Sequence, residues 1–217
     1  MSIMRSKFDE QLKLLNKKMI EMGSLCEELI ALVAKALLEG NVEDARKAQS
    51  HGKEIDRMER EIESICLKLL LQQQPVARDL RVISAALKMI TDMERIGDQA
   101  EDIAEIISFL NGKTGEELSD FRPMAKATCE MVTDSIDAYV KQDLELAKSV
   151  CEHDDIVDNA FRRVKNTLIE MISQNKADGE YAVDLLMIAK YFERIGDHAT
   201  NIAEWVEFSI TGVHKGE

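Results

Sequence analysis

The chain has 217 residues, of which 45% are hydrophobic and 32% charged, with two prolines and 5% aromatic residues. That length allows one large or two modest domains with a substantial core, and a composition rich in Glu, Lys, Leu, Ala and Ile excludes disorder and argues against a strand-rich fold. Acids outnumber bases 41 to 28, a formal charge of −13, which excludes the dense basic face that nucleic acid requires and suits cations or basic partner surfaces.

Hydrophobic spacing is helical almost throughout, with breaks at Gly40-Asn41, Gln74-Pro75, Asn111 to Glu117, Lys141-Gln142-Asp143, and Asn175 to Gly179. Six long helices are therefore predicted. The third break, NGKTGEE, is the most loop-like and leaves three helices on each side. The expected fold is all-α, two tandem three-helix bundles at residues 1–112 and 118–217. The opening MSIMRSKFDE is not followed by an apolar signal region, and no stretch approaches the roughly 20 apolar residues of a membrane span, so a cytoplasmic location is expected. Cys26, Cys66, Cys129 and Cys151 are scattered, without metal-ligand or redox spacing, and are expected to be reduced core residues.

In chain order, the second helix carries GKEID, with Gly52 and Asp56, and then Glu59 where the apolar seam expects a hydrophobic residue. The third opens with PVARDLR, whose Arg78, Asp79 and Arg81 read as capping and salt-bridging residues. It continues into ERIGDQAEDIAE at Glu94 to Glu105, and 99 residues later the sixth helix carries ERIGDHATNIAE at Glu193 to Glu204, identical at nine of twelve positions. Such a repeat marks one structural unit used twice. The seam Leu185, Ile188, Phe192, Ile195, Ala199, Ile202 and Val206 has its counterpart in Ala86, Met89, Met93, Ile96, Ala100, Ile103 and Ile107.

Carboxylates sit beside these seams at helical spacing: Glu94, Asp98 and Asp102 in one copy, Glu193, Asp197 and Asn201 in the other. Alone, such a strip is most simply a solvated face. The fifth helix changes that balance, because DDIVD places Asp154 within its apolar seam, with Asp158 one turn later. A carboxylate there is costly unless it is protonated, meets a cation or lies at an open edge. Asp154 and Asp158 are as far before the Asn175–Gly179 turn as Glu193 and Asp197 are after it, so in an antiparallel hairpin the two pairs face each other. In the first half Asp56 reaches the level of Glu94 and Asp98, but Gly52 stands where Asp154 has its equivalent, which leaves that site one ligand short, with Glu59 and Asp102 as candidate substitutes.

Four facing carboxylates suit hard or borderline cations, Mg2+, Ca2+, Mn2+ or iron, in a multinuclear site, and the competing reading is a salt-bridge network with Arg57, Arg95, Arg162 and Arg194. Gly97 and Gly196, inside strong helices, read first as close-packing positions and second as room for ions beside the acids. His198, opposite Gln99 in the repeat, reads as a surface or hydrogen-bonded residue. A ferritin-like metalloenzyme is disfavoured because none of the four histidines follows a Glu by three residues, and no P-loop or nucleophile motif is present.

The order QQQPVARDLRVISAALKM, ERIGD, DDIVD and ERIGDHATNIAE resembles the PhoU family of phosphate-uptake regulators over nearly the whole chain. The resemblance implies a cytoplasmic, non-catalytic regulator that represses the phosphate-starvation response. Its implied partners are the ATP-binding subunit of the phosphate ABC transporter and a membrane sensor histidine kinase, so that it reaches the membrane only through partners. It further implies a homodimer or higher oligomer and multinuclear metal clusters on E(D)xxxD motifs, with iron favoured and Mg, Mn, Ca or Zn as alternatives. Carried over to this sequence, the motifs fall on Glu94 and Asp98 in the first half, with Asp56 in a partial pair, and on Asp154, Asp158, Glu193 and Asp197 in the second.

Overall fold

The computed structural model describes residues 2–72, 76–176 and 178–213. Among them are six α-helices: α1 (Ser2–Glu39), α2 (Val42–Gln72), α3 (Ala77–Leu110), α4 (Phe121–Lys141), α5 (Leu144–Ser173) and α6 (Gly179–Thr211). A short 3-10 segment, Glu116–Asp120, leads directly into α4 where the sequence suggested open loop. The expected Gln74-Pro75 break lies outside the described residues, as does Ala177 of the last turn.

Equivalent turns open the second helix of each half. After α1, Gly40 takes a left-handed φ of 64°, and Asn41 Oδ1 accepts the Glu43 and Asp44 N–H groups at 3.1 and 3.2 Å. After α4, Gln142 takes a φ of 52°, and Asp143 Oδ1 accepts the Glu145 and Leu146 N–H groups, both at 3.1 Å. An oxygen-bearing side chain here satisfies helix-start donors that otherwise have no partner. A Cβ on Gly40 would also stand 2.7 Å from the Gly112 carbonyl, so glycine is needed there for space as well as for backbone angle.

Helices α1 to α3 form one three-helix bundle and α4 to α6 a second. They join chiefly through α3 against α6, the most extensive helix pairing in the molecule, and through α1 against α4, where Gly23 lets Ile136 approach. Both seams read from the repeat are buried throughout, and one apolar core runs through both halves. Each fully buried Leu, Ile or Phe contributes about 1.5–3 kcal/mol, so this core is the main source of stability.

The duplication is visible in pairs of contacts. Cys26 Sγ points at the Met93 carbonyl and Thr128 Oγ1 at the Phe192 carbonyl, both at 3.5 Å, and Met93 and Phe192 are repeat equivalents. Cys26 and Cys66 are core residues as expected, whereas Cys129 and Cys151 are half-buried at its margin. In the PVARDLR segment Val76 occupies the α3 cap position without a side-chain hydrogen bond, Asp79 is a buried acid in the first turn, and the Arg81 side chain lies against Gly212 at the end of α6.

Candidate metal centre

The acids of interest lie where α2 packs on α3 and where α5 packs on α6. In the first half, one carboxylate oxygen from each of Asp56, Glu94 and Asp98 lies within 4.8 Å of the others, and no other His, Cys, Asp or Glu group among the described residues is as tightly drawn. Metal–oxygen bonds of about 2.0–2.6 Å place two oxygens on one ion at most about 4–5 Å apart, so the donor set fits a hard cation without rearranging the helices.

Nearby bases offset this charge only in part. Arg95 donates to Asp98 at 3.1 Å and reaches Glu94 at 3.5 Å, while Arg60 stands 3.9 Å from Asp56. Arg57, expected to serve the cluster, pairs instead with Glu54. Burial first, and then Asp98, push the Glu94 carboxyl above its ordinary range. Burial, Glu63 and Asp56 do the same to Glu59, which is not in the close grouping.

In the second half Asp154, Asp158, Glu193 and Asp197 share one field, as the hairpin spacing requires. Asp154 is pushed up to about 6, by burial first and then by Asp197, Asp158, Glu193 and Asp155. Asp197 is also raised, by burial and Glu193, against the opposing pull of Lys190. Lys190 holds Glu193 and Arg162 reaches Asp158 at 3.5 Å, so two of the four acids are paired with bases. The strongest titration shift and the tightest geometry thus fall in different halves: Asp154 is crowded by acids, whereas the first-half triad is closer in space.

Sequence spacing anticipated a first site one ligand short at Gly52. A Cβ on Gly52 would lie only 1.8 Å from Glu101 Oε1, so the Glu101 carboxylate occupies the volume left open there. Burial raises its pKa first, followed by Asp56 and Asp98, and a hydrogen bond from the Gly52 backbone opposes them. Sequence reasoning missed Glu101. The available signal was its position seven residues after Glu94, two helical turns along the same face, opposite the only glycine in α2.

Asp102, the other expected substitute, is not in that close grouping; burial pushes its carboxyl up, and Tyr191 of α6 beside it opposes the shift. The repeat-related contact is made by Asp92, whose Oδ1 lies 2.8 Å from His198 Nδ1 and accepts from Asn201 Nδ2 at 3.1 Å. Positions 92 and 191 are equivalents, as are 102 and 201, so α3 and α6 meet about an approximate two-fold axis. His198 and Asn201 serve this joint. The two glycines also differ: a Cβ on Gly97 would meet Ile55 at 3.0 Å, but one on Gly196 would find ordinary contacts of 3.5 Å with Val157 and 3.6 Å with Asp154.

The PhoU domain matches this chain twice, at residues 19–107 and 121–206. The chain belongs to the PhoU family. A relative from Clostridium acetobutylicum, named phosphate-specific transport system accessory protein PhoU homolog, is 37% identical over 210 residues, covering 96% of each chain. A protein of the same name from Synechocystis is 36% identical over 211 residues, covering 96% of this chain and 93% of its own. The crystal structure of PhoU from Pseudomonas aeruginosa superposes with a TM-score of 0.89 at 30% identity, over 95% of this chain and all of that one. The PhoU structure from Streptococcus pneumoniae, at 24% identity and a TM-score of 0.88 over 97% of this chain and all of that one, shows the same fold. No helix among the described residues is long and apolar enough to cross a membrane.

Proposed function

We propose that this chain is a cytoplasmic, non-catalytic regulator of phosphate uptake that represses the phosphate-starvation response when phosphate is plentiful. The observation that carries this reading is the match along nearly the full length to accessory proteins of the phosphate-specific transport system, with both PhoU domains present. In this role it couples the transporter's ATP-binding subunit to a sensor histidine kinase, as a homodimer or larger oligomer built from units at residues 1–112 and 118–217. Deleting the gene is expected to switch on a phosphate-starvation reporter in high phosphate, and unchanged repression would overturn the reading.

Metal binding is the second element of the proposal. Asp56, Glu94 and Asp98 would hold cations in the first half, and Asp154, Asp158, Glu193 and Asp197 in the second, with iron favoured and Mg, Mn, Ca or Zn as alternatives. Bound cations would supply the positive charge that lets crowded carboxylates ionise side by side. The raised carboxyl groups support this, because they mark charge that the neighbouring bases leave uncompensated. A metal-free helical adaptor is the rival, favoured by the ion pairs of Arg95, Arg162 and Lys190. Metal analysis of protein purified without chelator separates the two: alanine at Asp154, Asp158, Glu193 and Asp197 should lower the metal content, and undiminished content would sink the second-half assignment.

A further inference from the structure

We infer that Glu101 is the fourth ligand of the first-half centre, supplied by α3 in place of the carboxylate that α2 lacks at Gly52. The inference rests on the metal-binding reading and adds a residue outside both ExxxD motifs. Its basis is a reciprocal exchange between the halves. In the second half α5 carries Asp154 and α6 carries Thr200, whereas in the first α2 carries Gly52 and α3 carries Glu101.

The exchange is spatial as well as sequential. Asp154 reaches from α5 toward α6, its Oδ1 3.6 Å from where a Cβ on Gly196 would stand. Glu101 reaches the opposite way, and its Oε1, Cδ and Cγ would lie 1.8, 2.3 and 2.9 Å from a Cβ at position 52. Any side chain at 52 would displace the Glu101 carboxylate, so glycine here is the condition for the acid's placement. The helical φ of Gly52 gives no backbone reason for glycine, and glycine within a helix costs roughly 1 kcal/mol relative to alanine. Glu101 is half-buried over Gly52, its carboxylate outside the 4.8 Å grouping of Asp56, Glu94 and Asp98, and a cation held by those three would draw this flexible side chain in as a further ligand.

The test uses the full chain with Asp154, Asp158, Glu193 and Asp197 changed to alanine, so that Mn2+ titration of metal-stripped protein reads the first half alone. Glu101→Thr, copying the second half, is expected to weaken Mn2+ binding by roughly tenfold or more. Gly52→Ala removes no carboxylate but displaces one, and should weaken binding comparably. In the Glu101→Thr background Gly52→Ala should have no further effect, while Gly52→Asp should restore binding. Far-ultraviolet circular dichroism confirms that each variant is folded, and the restored double variant guards against a general packing defect. Unchanged affinity in Glu101→Thr, with binding lost in Asp98→Asn, overturns the role of Glu101 and leaves the metal reading standing. Absence of Mn2+ binding both in this background and in the unmodified chain overturns both.

Discussion

The two acidic clusters sit on equivalent helix pairs and differ in how they gather their charge. The second draws Asp154 and Asp158 from α5 and Glu193 and Asp197 from α6. The first keeps Asp56, Glu94 and Asp98 within 4.8 Å of one another, and α3 places Glu101 over Gly52 of α2, where the second half has Asp154 on α5. What the halves share is negative charge at one place in space, not an acid at every matching position in sequence.

The buried seams carry the largest expected effects. Phe192→Ala should destabilise the protein by about 3–5 kcal/mol and its equivalent Met93→Ala by about 2–5 kcal/mol. Because one core spans both bundles, urea unfolding followed by circular dichroism should remain a single transition in each variant. Two separated transitions would show that the halves are energetically independent.

A smaller effect separates the clusters by pH. The folded-state pKa of Asp154, at about 6, lies above its ordinary value of 3.8, so the folded protein binds the extra proton between these values. Its contribution is therefore fully favourable below about pH 4 and is lost as pH rises through about 6. For metal-stripped protein, Asp154→Asn should raise stability at pH 7 by on the order of 1 kcal/mol after discounting for solvent screening, and leave it nearly unchanged at pH 4. Equal effects at both pH values would remove the charge-crowding explanation. Divalent cation should reverse the sign at pH 7, because the variant then lacks a ligand.

The smallest expected difference distinguishes the two glycines. Gly97→Ala drives a methyl group to 3.0 Å from Ile55 and should lower stability by about 1 kcal/mol, overpacking outweighing the gain in helix propensity. At Gly196 the same change meets only ordinary contacts, so propensity should prevail and raise stability by up to about 1 kcal/mol. Thermal melts of the two variants, moving in opposite directions, would confirm that the recurrent glycine has a packing role in one half only.

Much of this was legible in the sequence because it depends on short-range periodicity. The helix breaks, the buried seams and the facing of DDIVD against ERIGD follow from residue spacing and distance to a turn, and Asp154 in an apolar seam already signalled a perturbed carboxylate. Glu101 was not legible by that route: it lies off the seam, and its importance depends on the missing side chain at Gly52, across the helix pair. Asp102 looked like a ligand by its four-residue spacing, yet it is not in the close grouping of Asp56, Glu94 and Asp98 and neighbours Tyr191 of α6. The α3–α6 joint, where Asp92 meets His198 and Asn201 across more than 100 positions of sequence, leaves no local pattern.

The central claim, that both facing clusters are cation sites, is tested most directly by anomalous diffraction from crystals of iron- or manganese-loaded protein. The account predicts anomalous peaks among Asp56, Glu94, Asp98 and Glu101, and among Asp154, Asp158, Glu193 and Asp197. Ordered carboxylates paired only with Arg60, Arg95, Arg162 and Lys190, with no anomalous peak in either cluster, would contradict it.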